Sequence, residues 1–151
     1  MKNYLGIGEK DGSITLGGDA SDRFFVKPTI FERVPEDAKL MQEGVFGPVV
    51  AINTFRTEAE AIQKANNTEF GLYASIFTKD LDRAVRMYKA LEAGTVGVNC
   101  TSPTRAKDAA FGGYKLSGSG REGMLYSIDN FLQTKSILVK SGQVSGILPN
   151  V

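Results

Sequence analysis

The sequence contains no histidine. That absence excludes a Ser-His-Asp triad, a Cys-His dyad and any zinc site ligated by histidine. It contains one cysteine, Cys100, so no intrachain disulfide can form and the composition fits a reducing compartment. Neither sign of charge dominates: Lys plus Arg is 18 and Asp plus Glu is 17, a net charge of +1. A balance this even excludes a strongly basic nucleic-acid binder and a polybasic membrane binder. No apolar run approaches a membrane span, and Met1-Lys2-Asn3-Tyr4-Leu5 lacks the apolar core of a signal peptide. The expectation is a cytoplasmic protein with neither nucleic acid nor membrane as partner.

What is present is ordinary for a globular chain. There are 151 residues, 42% hydrophobic and 23% charged, enough for one domain or a piece of one with a real core. The first stretch is broken by Gly6, Gly8, Gly12, Gly17 and Gly18, with a short strand at Ser13-Ile14-Thr15-Leu16 between breaks. Phe25 to Phe31 reads as extended, with Pro28 at a strand start or edge because it has no ladder donor. A strand-then-helix rhythm follows. Val49 to Phe55 reads as a buried strand, and Thr57 with Glu60 forms a capping box that opens a helix ending near Asn66 or Asn67. Ala74 to Thr78 is a second strand. Asp80 caps a helix with Leu81, Ala84, Val85, Tyr88 and Leu91 on one face, and Gly94 ends it. Thr95 to Asn99 is a third strand. Residues 100 to 120 read as a loop. From about Ser119 the spacing of Met124, Leu125, Ile128, Phe131 and Leu132 predicts a helix, then Thr134 to Lys140 a last strand, with residues 141–151 a loose tail. Strands alternating with amphipathic helices predict an α/β fold with an open, mostly parallel sheet.

Few residues offer chemistry. Cys100 follows a strand, where sites gather in parallel sheets. A working thiolate needs a base or cation beside it, and only Arg105 and Lys107 could supply charge nearby. The favoured reading is a small buried residue. The run from Gly112 to Gly123 could cradle an anion before a helix, but its spacing matches neither a P-loop nor a dinucleotide fingerprint, and loop packing is the favoured reading. Glu43 and Phe46, before a strand, could contact a ligand or simply form a turn. Asp19, Asp22, Glu36, Asp37, Asp80, Asp82 and Asp108 sit on turns and caps, and no spacing singles out an acid/base pair.

Several stretches in order resemble the C-terminal part of the aldehyde dehydrogenase superfamily's catalytic domain. They are Lys27 to Phe31, Glu43 to Val49, Ala65 to Leu72, Ala93 to Asn99, Phe111 to Lys115 and Ser117 to Glu122. The resemblance runs from residue 1 to about residue 140. It implies a truncated catalytic domain over 1–140 that ends in an oligomerisation-type strand, 134–140. It also implies that the dinucleotide domain, the nucleophilic cysteine and the general-base glutamate lie in segments this sequence does not contain; Cys100 is not at the nucleophile's position. In the family pattern a second glutamate before the Phe-Gly-Pro segment contacts the nicotinamide ribose. Here that place is Gly44, while Glu43 keeps the first place and Phe46 keeps the aromatic beside the nicotinamide. Phe111 matches an aromatic near the substrate tunnel.

The resemblance therefore implies no dehydrogenase activity for the chain by itself, and no cofactor unless NAD or NADP is held in a larger assembly. Three readings follow. The leading one is a repurposed protein that binds or isomerises a carbonyl compound without redox chemistry. Its pocket would hold Phe46 and Phe111, and its weak catalytic candidates are Cys100, Lys107, Asp108 and Tyr114. The others are a complementing subunit of a full-length relative and a portion of an NAD(P)-dependent enzyme. The apolar Ile137-Leu138-Val139 edge predicts a homodimer or pairing with a full-length relative.

Overall fold

A computed structural model describes residues 1–20, 24–101, 108–123 and 125–140. In chain order the elements are α1 (Lys2–Asp11), β1 (Ser13–Leu16), β2 (Thr29–Glu32), α2 (Lys39–Gln42), β3 (Val49–Ile52), α3 (Glu58–Asn66), β4 (Phe70–Gly71), β5 (Tyr73–Ile76), α4 (Leu81–Ala90), β6 (Thr95–Val98) and β7 (Tyr114–Lys115). A 3₁₀ turn at Asp129–Phe131 closes the series.

The fold is α/β, as the sequence predicts, with its strands in three small sheets. β1 is antiparallel to β2, and β2 is parallel to β3 with Thr29 opposite Val49. β5 and β6 form a parallel pair, Tyr73 opposite Thr95. β4 and β7 are antiparallel and tie the glycine-rich segment back to the body.

The core lies under the first sheet. Leu5 of α1, Phe31 of β2, Val34 and Leu40 of α2 are buried together, with Val49 and Ala51 of β3 packed against them. Phe31 is 0% exposed, a burial that contributes about 1.5–3 kcal/mol. Ile76, Ala84 and Leu91 are also buried, outside that cluster. The opposite face of the first sheet is bare: Leu16, Val50 and Ile52 are exposed. α3 buries none of its residues.

Both interior helix caps form as predicted. Thr57 Oγ1 accepts from the Glu60 amide at 3.1 Å, and Asp80 Oδ1 from the Arg83 amide at 3.0 Å. The Glu60 carboxylate reaches back to the Arg56 amide at 2.8 Å, one residue before the cap. Ala84 and Leu91 of the α4 face are buried, whereas Leu81 and Tyr88 stay exposed.

Residues 2–11 form a helix that runs through Gly6 and Gly8. Two expectations are corrected. Gly94 does not end α4: the helix stops at Ala90, with Leu91 extended, and Gly94 is needed because a Cβ there would overlap the carbonyl of Gly112. The helix expected from Ser119 is reduced to turns and the 3₁₀ segment. Its Leu125, Ile128, Phe131 and Leu132 are all exposed, and an amphipathic stripe with nothing to bury against gains no tertiary support. Residues 134–140 pair with no strand among the described residues, and Ile137, Leu138 and Val139 are exposed; an oligomerisation-type strand takes its partner edge from another subunit. Met124 and the tail 141–151 lie outside the described residues.

Candidate functional site

Glu43, Gly44 and Phe46 follow α2 on the turn into β3. Phe46 has φ of 49° and is 98% exposed, its ring leaning over Gly44. The Glu43 carboxylate accepts from the Tyr4 hydroxyl of α1 at 2.8 Å, and that bond pushes the Tyr4 phenol above its ordinary value. This turn thus presents the exposed Phe46 ring, a Glu43 carboxylate engaged with α1, and at position 44 no carboxylate. By themselves these residues do not fit a nicotinamide dinucleotide.

Phe111 and Tyr114 belong to the glycine-rich segment, which is folded on itself. Phe111 and Glu122 exchange two backbone hydrogen bonds of 2.8 and 2.7 Å. The Arg121 guanidinium stands 5.4 Å from the centre of the Tyr114 ring and donates from Nη1 to the carbonyls of Gly113 and Gly120. Lys115 donates to the carbonyls of Asn66 and Thr68 and pairs with Glu92 at 2.6 Å. Both cations therefore hold carbonyls and a carboxylate of the fold. The loop-packing reading of this segment stands over the anion-cradle reading.

Cys100 follows β6, half buried. The strand ends are locked by Asn99, whose side chain bonds both the amide and the carbonyl of Thr78 and whose φ of 55° is one asparagine tolerates. The neighbour that sequence reasoning missed is Tyr73. Its hydroxyl is buried, has no hydrogen-bond partner among the described residues, and occupies the space a side chain at position 97 would take, beside the Cys100 sulfur. Burial pushes the Tyr73 phenol up, and the Cys100 thiol adds to the shift. The only advance signal was a large residue on one strand and, two positions along the same face of the next, a glycine, since Tyr73 is opposite Thr95 and Gly97 opposite Ser75.

Asp108 is exposed, and Lys107 and Arg105 lie outside the described residues. A cleft of about 700 Å³ lies between the segment after β3, α3, β5 and α4, and Phe46, Cys100, Asp108, Phe111 and Tyr114 are all absent from its walls. No group of three or more acidic or sulfur ligands is placed to hold a metal ion among the described residues. No helix is long and apolar enough to cross a membrane among them.

Parallel strands joined by helices, β2 with β3 and β5 with β6, define part of an α/β domain. Residues 1–137 match the aldehyde dehydrogenase family, and the chain belongs to that family. It is 45% identical over 143 residues to the mitochondrial aldehyde dehydrogenase of Sus scrofa, a match spanning 93% of this chain and 27% of that protein. It is also 45% identical to aldehyde dehydrogenase family 2 member B4, mitochondrial, of Arabidopsis thaliana, over 91% of this chain and 26% of that one. Among solved structures it resembles aldehyde dehydrogenase 21 of Physcomitrella patens in complex with the reaction product succinate. The TM-score is 0.82 at 33% identity, over 97% of this chain and 30% of that one. The chain thus spans little more than a quarter of the length of the curated relatives it matches.

Proposed function

We propose that this chain supplies the C-terminal portion of an NAD(P)-dependent, aldehyde-oxidising catalytic domain, and works when the rest of such a domain completes it. The observation that carries this reading is the half-built packing. The first sheet follows the family's fold, yet leaves Leu16, Val50 and Ile52 bare on one face, and α3 buries nothing. The β2–β3 pair is parallel, and parallel strands are ordinarily covered on both faces. In the completed domain Phe46 lies against the nicotinamide and Phe111 near the aldehyde, as the family resemblance implies. The thiolate and the hydride acceptor come from outside this sequence. Pairing of residues 134–140 with a second copy or with a full-length relative belongs to the same reading, as does a cytoplasmic setting. The non-redox alternative gains no support from the large cleft, because none of its described candidate groups lines it.

The test is direct. The purified chain alone, given acetaldehyde and NAD⁺ or NADP⁺, yields no reduced cofactor. Coexpressed with the part of the Sus scrofa relative that precedes its match to this chain, it yields an active complex. Turnover by the chain alone, or no complex with that segment, overturns the proposal.

A further inference from the structure

Cys100 does not continue the line of the strand it follows. It lies three positions beyond Gly97, and three extended residues span about 10 Å. Yet its sulfur stands 3.0 Å from the place a Cβ on Gly97 would take. The chain turns back at Asn99, which holds a left-handed φ of 55°. The Asn99 side chain fixes that turn by bonding the amide and the carbonyl of Thr78, at 2.9 and 3.0 Å. The turn delivers the sulfur to the point that the Tyr73 hydroxyl reaches from β5, since the same Cβ would overlap that hydroxyl. A thiol and a phenol therefore meet over Gly97, on the one residue of β6 with no side chain to keep them apart.

The two groups are mismatched as they stand. The Tyr73 hydroxyl is buried and makes no hydrogen bond among the described residues. A buried donor without an acceptor is costly and calls for a reason. The thiol sulfur beside it is only a weak acceptor. Burial is the first cause of the raised Tyr73 phenol and Cys100 the next, so the two groups sense each other. One oxygen atom added to the sulfur would supply the strong acceptor that the phenol lacks. Cys100 is only partly buried, so a molecule as small as a peroxide reaches it. It is also the single cysteine, so no second thiol of the chain can turn an oxidised sulfur into a disulfide.

We infer that Cys100 and Tyr73 form a peroxide-sensitive pair, in which the thiol is oxidised to a sulfenic acid and the Tyr73 hydroxyl holds the new oxygen. The sulfur, as thiolate, attacks one oxygen of hydrogen peroxide. An S–O bond forms, the O–O bond breaks, and the departing hydroxide takes up the thiol's proton as water. Sulfur gives up two electrons and the peroxide accepts them. Tyr73 then donates to the sulfenyl oxygen, which slows attack on a second peroxide and the passage to sulfinic acid. Both groups belong to this chain, so their pairing needs neither a completing segment nor a cofactor and goes beyond the proposed function.

The isolated chain is treated with hydrogen peroxide, trapped with dimedone at intervals, and its peptides are read by mass spectrometry. A dimedone adduct on Cys100 reports the sulfenic acid and is blind to oxidation of the four methionines. The expected result is an adduct on Cys100 whose sulfenic precursor outlives, at least fivefold, that of the same chain unfolded in urea. Tyr73→Phe keeps the ring and loses only the hydroxyl. It shortens that lifetime to the unfolded chain's and raises the yield of sulfinic acid, while its circular dichroism stays that of the parent. No adduct on the folded parent overturns the inference, as does a folded Tyr73→Phe chain with the parent's lifetime. Should Tyr73→Phe fail to fold, the parent decides: equal lifetimes in its folded and unfolded states overturn the inference, and a fivefold difference upholds it.

Discussion

Gly8 of α1 lies directly against the ring of Phe31 in β2: a Cβ on Gly8 would stand 2.5 Å from Phe31 Cζ. The ring is fully buried, so it has no free volume to move into. Two effects of Gly8→Ala oppose each other. Ala favours an isolated helix by about 1 kcal/mol over Gly. Overpacking a filled core costs about 1–3 kcal/mol. Overpacking wins here, because the clash is with three ring atoms rather than a flexible chain end. Gly8→Ala lowers stability by about 1 kcal/mol in denaturant melts, whereas Gly6→Ala, with nothing within 4 Å of its Cβ, raises it.

The same pair shows why parts of the fold were legible in the sequence and others were not. Local chemistry reads well: Thr57 and Asp80 cap helices with side-chain oxygens bonded to amides three residues on, and β-branched runs such as Val49–Ile52 become strands. Glycines read badly where their reason is a distant neighbour. Gly8 reads as a break in the sequence, but it lies inside α1 and is set by Phe31. Gly94 suggested a helix end, but it is set by the Gly112 carbonyl. Periodicity also failed where it finds no surface to bury against: Leu125, Ile128, Phe131 and Leu132 keep a helical spacing yet are exposed among the described residues. Of the candidate site, the turn at Glu43 was visible through the family resemblance. The buried Tyr73 hydroxyl beside Cys100 was not, because residues 73 and 100 meet only across the β5–β6 pair.

Glu58 makes the link between α3 and α4 sensitive to acid. It accepts from Arg86 Nε at 2.9 Å and Nη2 at 3.0 Å, and from Arg83 Nε at 3.3 Å. The Arg86 hydrogen bonds, with a smaller part from Arg83, hold its carboxyl below the ordinary value of 4.5. A depressed carboxylate contributes stability that is fully present above its unfolded-state value and is lost as pH falls through the folded one. The pair is exposed, so the contribution is small and screened by salt. Thermal midpoints fall as pH drops from about 6 to about 3, more steeply at low ionic strength. Glu58→Gln flattens that dependence; an unchanged slope in this variant assigns it to other carboxylates.

Asp80 is a second acid-sensitive group whose role is separable by mutation. The Arg83 amide is the main cause of its lowered carboxyl, ahead of the charges of Arg83 and Arg86. Asp80→Ala costs about 1 kcal/mol, while Asp80→Ser, which keeps an acceptor oxygen, recovers most of it. Equal losses in the two variants would mean that charge, not capping, is what matters at this position.

Tyr73 and Gly97 are predicted to behave as one unit. A Cβ at 97 would overlap the Tyr73 hydroxyl and stand 3.0 Å from the Cys100 sulfur. Gly97→Ala therefore destabilises, by about 1–3 kcal/mol. Tyr73→Phe removes a buried hydroxyl without a partner and leaves the melting temperature unchanged or higher. In the double variant the phenyl ring leaves room for the new methyl, and the loss is smaller than the sum by more than about 0.5 kcal/mol. Additive losses would show that the two sites do not touch in solution.

The strongest functional prediction concerns Gly44. The family resemblance places a ribose-binding carboxylate there, and this chain has none. Restoring it is sterically cheap. The nearest obstacle to a Cβ is the Phe46 ring at 2.7 Å, and that ring is exposed and free to swing. Gly44→Glu therefore changes the stability of the isolated chain by less than about 0.5 kcal/mol. A hydrogen bond to a charged group is worth about 1.5–3 kcal/mol. In the complex with the preceding segment of the Sus scrofa relative, Gly44→Glu accordingly tightens NAD⁺ binding by about 10- to 100-fold. Calorimetry on the complex and on the isolated chain separates the cases. Tightening in the complex alone places Gly44 at the ribose of a completed site. Unchanged affinity in the complex would show that position 44 does not face the cofactor, and the alignment of this turn with the family's nicotinamide contacts would have to be abandoned.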